Sequence, residues 1–477
     1  MATEFNQCLP KKIGVISLGC SKNRINSEQM MFLLSEAGYF VTSETDGVDF
    51  VLLNTCGFIE SAKAEAIDTI LELAAAKDEG RIGKLIVAGC LPQRYKNEIL
   101  SELPEINAVV GTGSFDDIKS VVEALETQED DFPVYKAKKQ ERNVPLCFFG
   151  DIDAPVSETD RIISTSPVWA YLKISEGCDN KCAYCCIPEI RGRFRSRPLE
   201  KIIKEAKKLV EAGVRELIIV AQDVTRYGLD LYGEKRLKAL LDALNQIKEL
   251  KWIRLHYMYP DEFDDEIIEI ISKSGKILKY LDIPIQHIND GILKKMNRRG
   301  TGKDIRALFK RLRESIPDVV IRTSIITGLP GEGEKEFKEL CDFLSEFKIE
   351  RVGVFAYSPE EGTAAAIMDR PGREVAEERA EKLLEIQSLI MHEWNKSRIG
   401  SVVTVLLEDL ESEEQTELFK ARSYAESPEI DGYINVKKAQ NILEPSPCDK
   451  KAEEPSPCFI DVRITGIENG ELAGEPR

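Results

Sequence analysis

From Lys11 onward, short runs of consecutive apolar residues alternate with longer segments in which apolar positions recur every three or four residues. The first pattern predicts buried strands and the second amphipathic helices. Strands are expected at Ile13 to Leu18, Phe50 to Asn54, Leu85 to Ala88 and Ala108 to Val110. Helices are expected from about Ser27 to Ala37, Ser61 to Ala76, Arg94 to Glu102 and Phe115 to Leu125, with Gly38 as a C-terminal stop. This alternation is that of a doubly wound domain with a parallel sheet. Residues 126 to 166 break it with polar, proline-containing sequence, which reads as a linker with room for one hairpin.

The alternation then resumes with longer helices. Strands are expected at Tyr171 to Ser175, Glu216 to Ala221, Trp252 to Tyr257, Leu281 to Pro284, Val319 to Ile326 and Arg351 to Ala356. The clearest helices between them are Leu199 to Ala212, Lys235 to Lys248 and Lys335 to Phe347. Six βα units make a partial (βα)6 barrel, whose open side could admit a macromolecular substrate. A helix from about Glu374 to Ser397 leads into short β-like runs at Val402 to Glu408, Glu417 to Tyr424, Tyr433 to Val436 and Phe459 to Thr465, the spacing of a small antiparallel barrel. The fold class expected is α/β, with domains at 11–126, 167–397 and 398–474 and a linker at 127–166.

Length and composition fit this division. A chain of 477 residues exceeds what a single core usually serves, and 43% apolar with 31% charged residues describes a soluble globular protein. No apolar run has signal-peptide or membrane-span length, so a cytoplasmic location and no membrane partner are expected. Twelve cysteines then read as metal ligands and free thiols, because the cytosol keeps thiols reduced. The net charge of −18 repels phosphate backbones and favours a basic partner.

The cysteines carry the chemistry. Cys178, Cys182 and Cys185 follow a strand in EGCDNKCAYCC with CxxxCxxC spacing. Three thiolates on one loop can hold three irons of a 4Fe-4S cubane and leave the fourth without a protein ligand. A zinc site or three buried thiols are the alternatives, but zinc wants a fourth ligand, which would have to be Cys186 or a distant residue. Cys186 itself reads as a core thiol. Cys20, Cys56 and Cys90 each fall within two residues of a predicted strand end, in SLGCSKN, LNTCGF and AGCLPQR. The carboxyl ends of parallel strands share one edge, where ligands bind, so these three should converge on a second cluster. Small apolar residues ending buried strands are the bland alternative.

At the corresponding edge of the barrel stand Gln222 and Asp223, His256, Gln286 and His287, then Thr323, Ser324 and the glycine turn around Gly328 and Gly331. Core positions, with the ring bonded to backbone, suit both histidines. The run RGRFRSRP at Arg191 to Pro198 reads either as a solvated loop or as a grip on an acidic group of cofactor or substrate. Cys147 has no partner at metal-ligand spacing and is taken as structural. Cys448 and Cys458 of the repeated EPSPC segment are taken as exposed thiols.

CxxxCxxC, with Tyr184 just before the third cysteine, resembles the radical S-adenosylmethionine enzymes. Together with Cys20, Cys56, Cys90 and the RSRP segment, it closely resembles the methylthiotransferases over about Lys11 to Gly474. SLGCSKNRINSE, YLKISEGCDNKC, VAQDVTRYG, RLHYMYP, YLDIPIQH and SPEIDG are similar to the RimO type, although Ser21 stands where that type usually has proline and the C-terminal segment is longer than usual. The resemblance implies methylthiolation of an aspartate in small-subunit ribosomal protein twelve, free or within the ribosomal subunit. It also implies two 4Fe-4S clusters, one on Cys178, Cys182 and Cys185 as the catalytic set and one on Cys20, Cys56 and Cys90. S-adenosylmethionine would be radical source and methyl donor, with a reductant such as flavodoxin or ferredoxin; Tyr184 of the motif, and Gln222, Asp223, Ser324 and Gly328 from their place at the barrel edge, are the expected cofactor contacts. The C-terminal segment resembles the TRAM domain, an OB-like module that often binds RNA. Residues 398–477, however, hold 9 Lys and Arg against 17 Asp and Glu, which argues against transfer RNA as a partner. The other readings are a transfer RNA adenosine methylthiotransferase and, in another class, a non-enzymatic iron-sulfur carrier or electron-transfer protein.

Overall fold

The computed structural model describes residues 10–127, 145–413, 416–437 and 458–477. The chain forms two compact units: Met1–Ser164 with Glu176–Asp179 and Cys185–Arg195, and Thr165–Ser175 with Asn180–Tyr184 and Ser196–Arg477. The CxxxCxxC loop therefore contributes residues to both.

The first unit is built on β1 (Lys12–Ser17), β2 (Phe40–Thr42), β3 (Val48–Thr55), β4 (Ile82–Gly89), β5 (Ala108–Val110) and β6 (Leu146–Phe148). All pair in parallel, in the order β2-β1-β3-β4-β5-β6. Helices α1 (Ser21–Glu36), α2 (Glu60–Asp78), α3 (Cys90–Arg94), α4 (Lys96–Glu102) and α5 (Ile118–Thr127) cover both faces. Successive strand residues face opposite sides, so Phe50 and Leu52 pack with Met30 and Val121 while Val51 and Leu53 pack with Ile70 and Leu91. Burial on both faces explains the unbroken apolar runs.

Three features depart from the sequence reading. Leu146–Phe148 is no hairpin but the sixth strand, parallel to β5, and carries the half-buried Cys147. Farther along the expected linker, Arg161 makes a fully buried ion pair with Glu28 of α1, whose other oxygen accepts from the Ser164 N–H and hydroxyl at 2.8 Å. Helix α1 also starts directly after Cys20, well before its apolar pattern begins, because its first turns bury polar side chains. Asn23 donates to the Leu18 and Thr55 carbonyls at 2.7 and 3.2 Å, and Asn54 donates to the Asn23 carbonyl at 2.9 Å.

The cysteine loop follows β7 (Trp169–Lys173) and β8 (Ser175–Glu176) and runs through α6 (Ile187–Arg191) to β9 (Arg195–Ser196). In the second unit, β7 is joined by β10 (Glu216–Val220), β11 (Trp252–Leu255), β12 (Ile277–Asp282), β13 (Val320–Thr327) and β14 (Arg351–Ala356). These six are parallel and ordered β14-β13-β12-β11-β10-β7, without closure between β14 and β7, which makes the partial barrel. Helices α7 (Leu199–Glu211), α8 (Leu229–Tyr232), α9 (Leu237–Asn245), α10 (Asp265–Lys273), α11 (Asp290–Lys295), α12 (Gly302–Ser315) and α13 (Glu334–Phe347) fall between its strands, and α14 (Arg373–Arg398) follows.

The C-terminal strands β15 (Val402–Glu413), β16 (Thr416–Arg422), β17 (Ile434–Lys437), β18 (Phe459–Glu468) and β19 (Glu471–Pro476) close into a barrel. One pair, β17 with β19, is parallel, so the barrel is not antiparallel throughout. Cys448 lies outside the described residues, and Cys458 is half-buried where an exposed thiol was expected.

The connection from β16 to β17 is anchored inside this unit. Tyr171, His256 and Tyr280 contact Glu429, Ser427 and Asp431 at 3.1, 3.0 and 2.5 Å. Arg351 and Arg398 both hold Glu426, at 3.1 and 2.5 Å. Part of the acidic excess of the C-terminal segment is thus neutralised internally. Burial would raise the Glu426 carboxyl, but Arg398 and Arg351 outweigh it and push it down to about 2 from an ordinary 4.5. A depressed carboxylate stabilises the fold above its ordinary value and loses that contribution as pH falls through the folded value. Between pH 4.5 and about 2, urea unfolding should show a loss of roughly 3 kcal/mol that Glu426→Gln does not share.

Candidate functional site

Cys20, Cys56 and Cys90 follow β1, β3 and β4, which are neighbours at the point where the strand order reverses. Each has a glycine beside it, and packing explains why. A Cβ on Gly19 would lie 2.6 Å from the Cys56 Cβ, one on Gly57 2.8 Å from the Leu91 Cα, and one on Gly89 2.5 Å from the Thr55 carbonyl oxygen. The Cys56 loop therefore touches the loops of both other cysteines, and Gly19 and Gly89 have φ of 87° and 106°, which favour glycine.

The thiols sense one another. Burial and then the neighbouring Cys90 and Cys20 push Cys56 up to about 12. Burial also raises Cys90, against the pull of Arg191. At Cys20 desolvation opposes ionisation, yet Lys22, Arg191 and the backbone N–H groups of Asn23 and Lys22 outweigh it and lower the thiol. None of the described cysteines is in a disulfide. Among the described residues no three His, Cys, Asp or Glu side chains are placed to hold a single metal ion. An all-sulfur donor set on three touching glycine-flanked loops fits a 4Fe-4S cluster.

The CxxxCxxC loop is fixed at both ends. In the first unit, Gly177 has φ of 76°, a Cβ there would strike the Arg193 carbonyl oxygen at 2.0 Å, and the Cys178 N–H donates to the Gly192 carbonyl at 3.1 Å. Cys185 belongs to this unit as well. Cys186 is 1% exposed, packs with Cys90 and Ile190, and lies 3.9 Å from the Phe58 carbonyl, the core position expected for it.

In the second unit, the Cys182 sulfur lies 3.0 Å from the Tyr259 hydroxyl and 3.9 Å from Nη1 of Arg298, whose guanidinium stacks 4.0 Å from the Tyr259 ring. Asn297 donates to the Lys181 carbonyl at 2.7 Å, and the Ala183 N–H donates to the Met296 carbonyl at 2.9 Å. Tyr184 packs beside Ala183, Met296 and Leu329. The segment Met296–Arg299 thus clamps Cys182. Sequence reasoning missed it and Tyr259, although MNRRG and the RLHYMYP segment hold the signal.

The expected cofactor contacts divide. Gln222 and Ser324 are half-buried at the carboxyl-end edge of β10 and on β13. Asp223 is fully buried and engaged: Asn180 donates to Oδ2 at 3.0 Å, and the Thr225 N–H and hydroxyl donate to Oδ1. Burial raises its carboxyl. It supports the cysteine loop through Asn180. Gly328 is required by φ of 75° and by Ala376, whose Cβ lies 2.3 Å from where its own would be.

Of the histidines, His256 bonds Ser427, and His287 accepts from the Asn289 N–H at 3.0 Å with Nε2 3.3 Å from Glu332. Both are core residues. The arginines of RGRFRSRP are mostly structural: Arg197 pairs with Glu205 at 2.6 Å and Arg195 bonds the Arg193 carbonyl at 2.8 Å. Arg191 reaches a cluster cysteine, with Nη2 3.5 Å from the Cys90 sulfur.

Comparison with known proteins bears on this geometry. Residues 172–344 match the Radical SAM superfamily, residues 12–111 the "Uncharacterized protein family UPF0004", and residues 399–476 the TRAM domain. The "Ribosomal protein uS12 methylthiotransferase RimO" of Acetivibrio thermocellus is 44% identical over 98% of both chains. That of Desulforamulus reducens is 47% identical over 90% of this chain and 94% of its own. The chain belongs to the RimO family. Membership makes it a radical S-adenosylmethionine enzyme and a methylthiotransferase. Among solved structures, the radical S-adenosylmethionine methyltransferase TsrM of Kitasatospora setae shares the fold, with a TM-score of 0.56 and 13% identity, over 75% of this chain and 77% of that one. Among the described residues no helix is long and apolar enough to cross a membrane.

Proposed function

We propose that the protein replaces a hydrogen on the β-carbon of an aspartate in small-subunit ribosomal protein uS12 with a methylthio group, in the cytoplasm. The observation that carries this reading is identity of 43–47% to RimO proteins over nearly the whole chain. The three converging loops of Cys20, Cys56 and Cys90 support it. Such a β-carbon carries no hydrogen that the acids and bases of this site could remove, so a radical route is needed.

In this reading Cys178, Cys182 and Cys185 hold one 4Fe-4S cluster and leave an iron for S-adenosylmethionine, while Cys20, Cys56 and Cys90 hold a second that carries sulfur. When bound, the first cluster and S-adenosylmethionine together supply a hydrogen-abstracting radical, with the electron from a reductant such as flavodoxin or ferredoxin. Tyr259 and Arg298 orient the Cys182 sulfur and lower the negative charge it presents. Asn180 and Asp223 fix the turn before it. Tyr184, Gln222, Ser324 and Gly328 line the edge where S-adenosylmethionine would lie. The net charge of −18 favours a basic ribosomal protein and disfavours transfer RNA.

Mass spectrometry of ribosomal proteins and of digested transfer RNA, from cells with and without the gene, tests the substrate. An aspartate-containing uS12 peptide should lose the mass of one CH2S group when the gene is deleted. Loss of a methylthio-adenosine with uS12 unchanged would move the activity to transfer RNA.

A further inference from the structure

Arg191, at the end of α6 and 3% exposed, is turned toward a cluster cysteine. Its Nη1 donates to Glu176 at 3.0 Å and to Asn26 at 3.1 Å, and its Nη2 donates to Asn23 at 3.4 Å and to the Cys90 sulfur at 3.5 Å. A buried guanidinium is costly unless its charge and donors are matched. Glu176 matches the charge on one side, and Cys90 stands on the other. The same short segment touches the central cysteine loop, because Glu176 precedes Cys178 by two residues and the Gly192 carbonyl accepts from the Cys178 N–H. Both cysteine triplets thus send a member to Arg191 or its neighbour.

We infer that Arg191 is a positioning residue for the N-terminal cluster: its guanidinium donates to the Cys90 sulfur and places a fixed positive charge beside the three thiolates, raising the cluster's reduction potential. This rests on the reading of Cys20, Cys56 and Cys90 as cluster ligands. Hydrogen bonds to ligand sulfur and the net charge around a cluster are the levers by which a protein sets that potential. A positive charge favours the more negative, reduced state. The guanidinium fork meets sulfur and carboxylate at once, which an ammonium cannot do with equal geometry. Held by Asn23, Asn26 and Glu176, it is arranged before the cluster is loaded.

The test uses the full chain with Cys178, Cys182 and Cys185 changed to Ala, so that only the N-terminal site can load. Into this parent are placed Arg191→Lys, which keeps the charge and loses the fork, and the double change Arg191→Met with Glu176→Gln, which leaves no buried unpaired charge. After anaerobic reconstitution, iron and sulfide are counted and the midpoint potential is read by EPR-monitored titration. The double variant should load as much iron as its parent and titrate at a more negative potential, because the guanidinium it removes donates to the Cys90 sulfur whereas the carboxylate removed with it is bonded to Arg191, with Arg191→Lys between the two. Equal potentials in all three loaded proteins would show that Arg191 only supports the fold and would overturn the inference. A parent that binds zinc or no iron would overturn the cluster reading first, and the inference with it. If the double variant does not fold, an unshifted potential in Arg191→Lys overturns the role of the fork.

Discussion

Changing Cys178, Cys182 and Cys185 together to Ala should abolish 5'-deoxyadenosine formation and lower bound iron from about eight to about four atoms per chain. Changing Cys20, Cys56 and Cys90 instead should also remove about half the iron while leaving 5'-deoxyadenosine formation in place. The asymmetry follows from the structure. The N-terminal set sits on loops packed against one another by Gly19, Gly57 and Gly89, whereas Cys182 is held by Tyr259 and Arg298. Tyr259 and Arg298 are supports apart from those loops, so emptying the N-terminal site need not empty the central one. Anaerobic reconstitution with reductant and S-adenosylmethionine, followed by iron counting and chromatography, reads both quantities. Clusters without S-adenosylmethionine cleavage in the unaltered protein would favour an iron-sulfur carrier over an enzyme.

A loss of roughly 3–5 kcal/mol in unfolding free energy is expected for Glu216→Gln, with no change in the cysteine sites. Glu216 is completely buried at the start of β10, where it accepts from Arg254 at 2.8 Å and Arg422 at 2.6 Å. Both guanidinium groups are themselves fully buried, and Arg422 also pairs with Glu408. Removing the carboxylate charge leaves two cations facing each other without their shared partner. Desolvation opposes ionisation of Glu216, but the two arginines outweigh it and hold its carboxyl below the usual range. Urea midpoints of the variant and the original protein check the figure, and a loss under about 1 kcal/mol would place these charges among the weakly coupled pairs of a protein surface.

The same network explains why the acidity of the C-terminal segment overstates its surface charge. Glu408 and Glu426 are matched by arginines within the fold, and Asp431 and Glu429 by tyrosines. Counting charges along the chain cannot separate a carboxylate facing a partner from one facing its own fold. The remaining exposed carboxylates still oppose phosphate, but steering of a basic protein rests on fewer of them.

Sequence alone determined most of the architecture, because strands buried on both faces must be apolar throughout and helices over them must carry one apolar face. Ala108 to Val110 and Arg351 to Ala356 fall where the pattern put them. Sequence also led one to expect that the loops of Cys20, Cys56 and Cys90 meet, as they do, since residues just past parallel strands share an edge whatever the details of packing. It missed β2, β6 and β19, which are short or only partly buried and so carry little apolar signal. It missed the first turns of α1, whose buried Asn23, Asn26 and Glu28 are satisfied by partners elsewhere in the chain. Above all, RGRFRSRP offers four similar side chains at regular spacing, and only the fold decides that Arg191 turns to Cys90 while Arg197 turns to Glu205. A buried polar group is specified by a partner distant in sequence, so its role is set by tertiary structure and not by local pattern.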